Sequence, residues 1–290
     1  MNKRLTTCFS LLAFFLLSSF AQAWSAQVHR QISDAAFVRL SSEQQHYYSE
    51  LLKYMPRQDL SFADLSAWVD SVKRDNLAEL YQQQIPDSLR AFSATDSSKW
   101  HWSNAYLVRS EGAEKCKVAN KGQLEAAFVA LDSALKSEQL SPEQEALSLA
   151  FYIHLLEDAH QPLHTATLVR ANCQTDRGGN DFCLLKRAGH CVMNLHSYWD
   201  SAFSAAKDSR FFNAMPLQAA SSLPMSMQMN LVLAEGQQLA KDVYKTNENR
   251  MPHSNYQKWG DKVARQRLEK AVSRVYYALD QHWQRQQVKN

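Results

Sequence analysis

Residues 141–164 read SPEQEALSLAFYIHLLEDAHQPLH, and this stretch decides the fold because it predicts one long helix with clear ends. Ser141 is a preferred N-cap residue, and Pro142 suits the first helical position. The helix runs through Ala159, and Pro162 ends it because proline has no backbone N–H to donate.

Two ligand-type side chains lie on one face of this helix. His154 and Asp158 stand four residues apart, and the bend at the proline can bring His164 back near the same face. His196 and Asp200 repeat the four-residue spacing in the segment NLHSYWD. A single pair of this kind could also be an ordinary hydrogen-bonded pair without a metal. Because zinc takes imidazole and carboxylate ligands, two pairs together with His164 predict a zinc site.

Helical patterns dominate the rest of the chain, because apolar residues recur at three- and four-residue spacing and glycine is scarce. Residues 171–193 contain two adjacent glycines and three cysteines, and they predict a loop with a small hairpin across Lys186 to His190. The predicted fold class is all-α, a single mostly helical domain with one small β-hairpin. The further predicted helices cover residues 42–55, 61–80, 122–135, 194–206, 217–244 and 256–286.

The N-terminal segment has the features of a secretory signal peptide. Two basic residues precede an apolar run over residues 11–17, and AQA at residues 21–23 is a small-x-small cleavage site. The sequence therefore predicts a signal peptide over residues 1–23 and one catalytic domain over residues 24–290. We expect a secreted or periplasmic protein without a membrane anchor, because no other apolar run approaches membrane-spanning length and no cysteine stands at the cleavage site.

Cleavage would free the α-amino group of Trp24, which can chelate a metal together with the adjacent carbonyl group. His29 lies about one helical turn further on, Asp70 follows Trp-Val on a predicted helix, and His101 stands between Trp100 and Trp102. A single histidine is more often a packed or surface residue than a ligand. The histidines without a partner pattern are therefore interpreted as structural or exposed: His46, His160, His190, His253 and His282.

Four cysteines remain beyond the predicted signal peptide. An even number in an exported protein predicts two disulfides with three possible pairings, and the spacing favours one local bridge and one that reaches back to Cys116. A cysteine-rich zinc site is the alternative, which the absence of Cys-x-x-Cys spacing disfavours. The formal net charge of +3 is too small for a basic coat that binds nucleic acid. A protein of this charge that binds a polyanion needs positive charge concentrated at its binding site, and bound metal ions could supply that charge.

Together these motifs resemble the zinc-dependent S1/P1-type nucleases. The resemblance runs from Trp24 to Asp200, and nine ligand positions match in order. It implies a mostly helical domain with a trinuclear zinc cleft, in which Asp158 bridges the first and third of three Zn²⁺ ions. The implied ligands are Asp70, His101, His154 and Asp158 for the first ion, His164, His196 and Asp200 for the second, and the amino group and carbonyl of Trp24 with His29 and Asp158 for the third.

The resemblance also implies an activity. The family cleaves single-stranded DNA and RNA to 5′-phosphorylated products and acts on 3′-nucleotides, and we expect this chain to do so as a monomer. Asp70 would orient the nucleophile, and Lys73 would stabilise charge on the phosphate unless it is a solvated helix lysine. Trp102 is either a base-stacking residue or a core tryptophan.

Two asparagines complete the implied substrate site. Asn104 stands where well-studied fungal members carry an aspartate that contacts the base edge, so no base preference is carried over to this chain. Asn180 either contacts the nucleotide or is a turn residue after two glycines.

Two other functions compete with the nuclease. A zinc-dependent phospholipase C resembles the same motifs, but its second zinc typically takes a glutamate, so Asp200 after Trp199 favours the nuclease. A zinc-sequestering protein without catalysis is disfavoured by the open coordination expected at the ions and by Lys73 beside them.

Overall fold

The structure is a computed structural model that describes residues 24–109, 111–118 and 121–289. The predicted signal peptide, residues 1–23, lies outside these described residues. Helices dominate the fold, which confirms the predicted mostly helical class. The helices are α1 (Ala26–Phe37), α2 (Ser42–Leu51), α3 (Phe62–Val72), α4 (Leu77–Leu80), α5 (Leu124–Ser137), α6 (Pro142–Asp158), α7 (Leu195–Asp200), α8 (Ser209–Ala214), α9 (Met225–Val243) and α10 (Ser254–Lys289). The strands are β1 (Ala105–Val108), β2 (Ala166–Val169), β3 (Cys183–Arg187) and β4 (His190–Asn194).

Helix α6 is the predicted long helix and the centre of the fold. Its start is a capping box in which Ser141 and Gln144 exchange hydrogen bonds, with Pro142 in the first turn. Every residue from Ala146 to Asp158 is buried, and the helix packs against α1, α3, α5 and α10. Because α6 is enclosed on all sides, each polar side chain along it requires a partner inside the protein.

Helix α1 was not predicted as an element, and it anchors the N-terminal part of the described chain. The Ser25 side chain caps its first turn, and α1 packs mainly against α3 and α10. Trp24 is fully buried, and its indole Nε1 donates a hydrogen bond to the Glu157 carbonyl over 3.1 Å. The Ser25 backbone N–H donates to the Asp200 carbonyl over 3.0 Å. Trp24 is therefore held between α6 and the end of α7.

Two predicted helices are shorter than expected. The prediction of one helix over residues 61–80 was wrong, because α3 ends at Val72 and the Asn76 side chain caps the new helix α4. An asparagine that bonds neighbouring backbone N–H groups competes with helix continuation. The predicted helix over residues 194–206 ends at Asp200, since Ala202 and Phe203 adopt φ values of 49° and 55°.

The C-terminal helices follow the prediction more closely. Helix α9 begins at Met225 rather than at Leu217, because Pro224 fits the N-cap position and the preceding segment is extended. Helix α10 runs three residues beyond the predicted end at Gln286, to Lys289. Both helices pack behind the site, with α9 against the turn that carries His164.

One small sheet was missed, and it positions the site. Strands β1 and β2 are parallel, with Ala105 opposite Ala166. This pairing joins the segment after Trp102 to the segment after His164, and the Ser103 N–H donates to the His164 carbonyl over 2.8 Å. Only four residues pair in each strand, which is too short for a recognisable alternating pattern.

The predicted hairpin and the predicted disulfide pattern are both confirmed. Strands β3 and β4 pair in antiparallel register around a turn at residues 188–189. One disulfide is local, Cys183–Cys191, and the other reaches back, Cys116–Cys173. Disulfides persist in oxidising surroundings, which indicates an extracellular or otherwise oxidising compartment. Among the described residues, none of the helices combines the length and the apolar character needed to cross a membrane.

Candidate metal centre

Three groups of buried histidine and aspartate side chains meet beside the end of α6. Within each group the candidate ligand atoms lie within 4.8 Å of one another, and each of these side chains belongs to a residue at most 6 % exposed. The structure thus brings together every side chain predicted as a metal ligand. The groups are His29, His154 and Asp158; Asp70, His101 and His154; and His164, His196 and Asp200.

The carboxylate of Asp158 faces two of these groups. Its Oδ1 lies 3.4 Å from Nε2 of His29, on the side of α1. Its Oδ2 lies 3.0 Å from Nδ1 of His101 and 3.1 Å from Nε2 of His154. A carboxylate that bridges two metal ions needs one oxygen toward each ion, and Asp158 has this geometry. The group of His29, His154 and Asp158 differs from the implied ligand set, because it contains His154 where the resemblance implies the amino group of Trp24.

Backbone carbonyls orient three of the histidines. The Nδ1–H groups of His154, His164 and His196 donate to the carbonyls of Ser66, His101 and Gly178, over 2.9, 2.5 and 2.6 Å. A ring that donates through Nδ1 keeps its lone pair on Nε2, so all three Nε2 atoms are free to bind a metal.

The facing nitrogens fit a shared cation. Nε2 of His164 and Nε2 of His196 lie 3.1 Å apart, although the carbonyl contacts leave a lone pair on each. Two lone pairs at this distance repel each other unless a cation accepts both. Nitrogen ligands on a tetrahedral zinc ion lie about 3.3 Å apart, so the separation suits zinc.

Unpaired polar atoms give a second test of the fit. Within the described part of the chain, four buried ligand atoms lack a hydrogen-bond partner: His29 Nε2, Asp70 Oδ2, His101 Nε2 and Asp158 Oδ1. A buried polar atom without a partner costs free energy, and metal coordination would satisfy such atoms. The donor set fits metal ions, because it consists of imidazole nitrogens and carboxylate oxygens.

The electrostatics of the centre favour a cation. Burial lowers the pKa of His29, but its contacts with Asp158 and Glu157 and the charges of these carboxylates outweigh burial and raise that pKa to about 10. Burial also raises the pKa of Asp200 well above its usual range. The raised pKa of His29 indicates that the enclosed carboxylates stabilise positive charge, and a metal ion would offset the burial of the Asp200 carboxylate.

A cleft of about 590 Å³ opens beside the metal-binding groups, and its lining includes His101, His164 and His196. All four predicted residues for phosphate and base contacts line it: Lys73, Trp102, Asn104 and Asn180.

The cleft residues differ in how they are held. The Lys73 ammonium, 17 % exposed, donates to Oδ1 of Asp70 over 3.0 Å, so it is held beside the group that contains Asp70 rather than solvated. The Asn104 Oδ1 atom is buried without a partner. The Asn180 amide donates to the Arg177 carbonyl over 2.8 Å, as expected for a turn residue, while the residue also lines the cleft.

Trp102 depends on a glycine opposite it. Gly122 has a φ of +77°, and a Cβ atom built there would lie 2.0 Å from the Trp102 carbonyl oxygen. Only glycine fits this close approach without a shift of the backbone. Trp102 is half-buried at the cleft, whereas Trp100 on the other side of His101 is a core residue that packs on Phe92 and Phe151.

Several residues of the centre were missed from the sequence. Gln161 donates through Nε2 to Oδ1 of Asp200 over 2.7 Å, which turns that carboxylate toward His196. Glu157 receives the Nδ1–H of His29 at 2.5 Å. Both lie within residues 141–164. The only sequence signal for Glu157 is a polar residue on a helix that is buried on all sides, and Gln161 lies in the turn after that helix. His160, predicted to be structural, is buried outside the three groups and contacts Arg274.

The comparisons with known proteins agree with this geometry. A family model described as S1/P1 nuclease matches residues 24–284. The matched range contains all the residues assigned to the centre and to the cleft. A comparison with curated proteins found no match.

Proposed function

The chain belongs to the S1/P1 nuclease family, and from this premise we propose that it is an exported, zinc-dependent endonuclease. The family indicates a metal-dependent hydrolase that acts on phosphodiester bonds of nucleic acids. We propose single-stranded DNA and RNA as substrates, 5′-phosphorylated products, and 3′-nucleotidase activity on mononucleotides. The observation that carries the proposal is the convergence of three buried histidine and aspartate groups at the floor of one cleft.

The residues present would hold three zinc ions in the arrangement that the resemblance implies. Bound zinc lowers the pKa of water and stabilises negative charge on phosphate oxygens. The proposed ligands are Asp70, His101, His154 and Asp158 for the first ion, His164, His196 and Asp200 for the second, and Trp24, His29 and Asp158 for the third.

Lys73 and Asp70 would act together on the scissile phosphate. The salt bridge to Asp70 holds the Lys73 ammonium at the cleft surface, where it would stabilise charge on a phosphate oxygen. Asp70 keeps its Oδ2 buried and without a hydrogen-bond partner, so this atom is available to a ligand or to the attacking water. We therefore propose Lys73 and Asp70 as the catalytic residues of this chain.

The base would be bound on the wall of the cleft. Trp102 offers a ring face for stacking, which tolerates any base, and Asn104 and Asn180 offer polar groups beside it. A base in a single strand can turn into such a cleft, whereas a base in a duplex must first leave its stack and its pair. This cost supports a preference for single strands.

The N-terminus supports the proposal of export. Trp24 lies directly after the predicted cleavage site, and its buried indole is bonded to the Glu157 carbonyl, one residue before Asp158. A free amino group at this position would lie near the proposed bridging ligand. Removal of a signal peptide during export would therefore complete the third zinc site, in agreement with the two disulfides.

The test combines zinc content with hydrolysis, measured on protein whose mature N-terminus is confirmed as Trp24. We expect about three zinc ions per chain, by the family resemblance and the three groups, and cleavage of single-stranded DNA that EDTA abolishes. Size-exclusion chromatography should show a monomer. Three bound zinc ions with turnover of phosphatidylcholine but not of DNA would overturn the nuclease in favour of a phospholipase C.

A further inference from the structure

Glu157 carries a fully buried carboxylate that none of the proposed roles uses. Its Oε2 lies 2.5 Å from Nδ1 of His29. The Ser66 hydroxyl donates to the same oxygen over 2.5 Å, and the Ser33 hydroxyl donates to Oε1 over 2.8 Å. The carboxylate therefore lies at the junction of α1, α3 and α6, with a hydrogen bond from each of two helices besides its own.

The same residue contacts or adjoins every protein ligand proposed for the third zinc ion. Its carboxylate accepts a hydrogen bond from His29, and its backbone carbonyl accepts one from the indole of Trp24 over 3.1 Å. Asp158 is the next residue in the chain. No other residue of the described chain has hydrogen bonds to both Trp24 and His29.

A buried carboxylate needs a compensating partner, because burial of a charge is costly. Within the described residues, no lysine or arginine forms an ion pair with Glu157, and its charged partner is His29. The Ser66 hydroxyl also lies 3.1 Å from Nδ1 of His29, but its single proton goes to Glu157. The carboxylate is thus the anionic acceptor for the His29 N–H.

We propose that Glu157 is a positioning residue that sets the affinity of the third zinc site through His29, an inference that rests on the proposed function. A carboxylate that accepts the Nδ1–H fixes the tautomer of the ring, aims Nε2 at the metal and makes that nitrogen a stronger donor. Nε2 of His29 accordingly faces Oδ1 of Asp158 at 3.4 Å. His154 of the first ion and both histidines of the second are oriented by backbone carbonyls instead, so we expect the affinity of these two ions to depend far less on Glu157.

The test compares Glu157→Gln with the wild-type protein by zinc competition against a chelator. The amide keeps the size of the side chain and one acceptor oxygen but removes the charge. We expect the third zinc ion to bind about 10- to 100-fold more weakly, as is typical when the hydrogen-bond partner of a metal-bound histidine is lost. The other two ions should be released at the wild-type chelator concentration.

Ser33→Ala is the matched control, because it removes a hydrogen bond from Oε1 and leaves the contact between Oε2 and His29. It should retain all three ions with nearly wild-type affinity. Thermal unfolding of the zinc-free proteins measures the structural cost separately. Loss of one partner of a buried charged pair is destabilising, so Glu157→Gln should melt below wild type but still unfold in one cooperative transition.

Two results would overturn the inference. The first is wild-type affinity for all three ions in Glu157→Gln. The second is release of all three ions from zinc-loaded Glu157→Gln at the same reduced chelator concentration, since this is the behaviour of a residue that only supports the fold. If wild-type protein itself fails to bind a third zinc ion, the proposed function fails at that point, before the variants are compared.

Discussion

The helical floor and the loop wall of the cleft hold their ligands in different ways. The helical floor comprises Trp24 and the ligands on α1, α3 and α6, which are His29, Asp70, His154 and Asp158. Its ligands are oriented by side chains and carbonyls of packed helices, such as Glu157 and Ser66. The contacts of Glu157 with His29 and of His154 with Ser66 join helices that are distant in sequence, so this region depends on the packing of the core.

The loop wall comprises residues 162–183 and α7, and it carries His164, His196 and Asp200. Within the loop wall, the carbonyl of Gly178 orients His196 by accepting its Nδ1–H. This carbonyl lies in a segment where Arg177, Gly178 and Gly179 all have positive φ. The disulfides fasten this segment at Cys173 and at Cys183. The loop wall thus depends on backbone conformation and on covalent links in addition to its packing against α9.

Because the two regions are held by different contacts, we expect each to lose its zinc ions independently of the other. A change in the helical floor should release the first or third ion, and a change in the loop wall should release the second ion or weaken substrate binding. Asp158 stands at the point of strongest coupling, because its oxygens face both groups of the helical floor.

The largest effect should come from Asp158→Ala. The change removes a ligand from the first and third ions, so we expect it to release more zinc than any other single ligand substitution and to abolish cleavage. Metal analysis after gel filtration measures the zinc content. Asp132→Ala is the control, since Asp132 is also a buried aspartate but bonds Tyr152 and Lys136 outside the centre. Unchanged zinc content in Asp158→Ala would contradict the bridging role.

A glycine added before Trp24 should release only the third ion. The added residue replaces the α-amino group by an amide, which is a poor metal ligand, and most activity should be lost. Zinc content and DNA cleavage are the measurements, and a glycine added after Asn290 is the control. The prediction is wrong if the extended protein keeps three zinc ions and full activity.

Gly178→Ala should act on the loop wall alone. Gly178 has a φ of +63°, and a Cβ atom would lie 2.5 Å from the Leu163 carbonyl oxygen, so the carbonyl that orients His196 must shift. Backbone strain of this kind costs about 1–3 kcal/mol. We expect weaker binding of the second zinc ion, measured by chelator competition, with the other ions retained.

Gly112→Ala is the matched control for this change. Gly112 also has a positive φ, +87°, but no atom lies within 4 Å of its Cβ position. It carries the same kind of backbone strain without the steric clash. Equal zinc loss in the two variants would show that strain alone, and not the position of the Gly178 carbonyl, is responsible.

Removal of the Cys116–Cys173 disulfide should have a smaller effect. A disulfide typically contributes about 2–4 kcal/mol to stability, largely by constraining the unfolded chain. The double change Cys116→Ser with Cys173→Ser should lower the melting temperature and raise KM for oligonucleotides, because the loop wall loses one anchor. Zinc binding at the helical floor should persist in the folded protein. Loss of the first and third ions at a temperature where the fold is intact would contradict the independence of the helical floor and the loop wall.

Trp102→Ala should change substrate affinity and leave the metals in place. Stacking of a base on an aromatic ring contributes about 1–3 kcal/mol, so KM for single-stranded DNA should rise by roughly 5- to 150-fold. Trp102→Phe keeps an aromatic face and should recover most of the affinity. If Trp102→Ala binds DNA normally, Trp102 is a packing residue, the alternative that the sequence left open.

The sequence alone predicted the candidate metal ligands and the central helix. Four-residue spacing places His154 with Asp158, and His196 with Asp200, on one helical face whatever the tertiary fold. The capping signals at Ser141 and Pro142 act within one helical turn, so the start of α6 was predictable. The disulfide pattern followed from cysteine spacing, and the candidate cleft residues followed from the family resemblance.

Only the tertiary structure decided how these ligands are aimed. The parallel pairing of β1 with β2, the carbonyl of Gly178 opposite His196, and the contact of Glu157 with His29 join segments that are far apart in sequence or depend on irregular backbone. Sequence periodicity indicates which face of a helix is apolar, but it does not indicate which buried polar groups form hydrogen bonds with each other. That choice depends on packing between distant segments, where each enclosed donor and acceptor must find its partner.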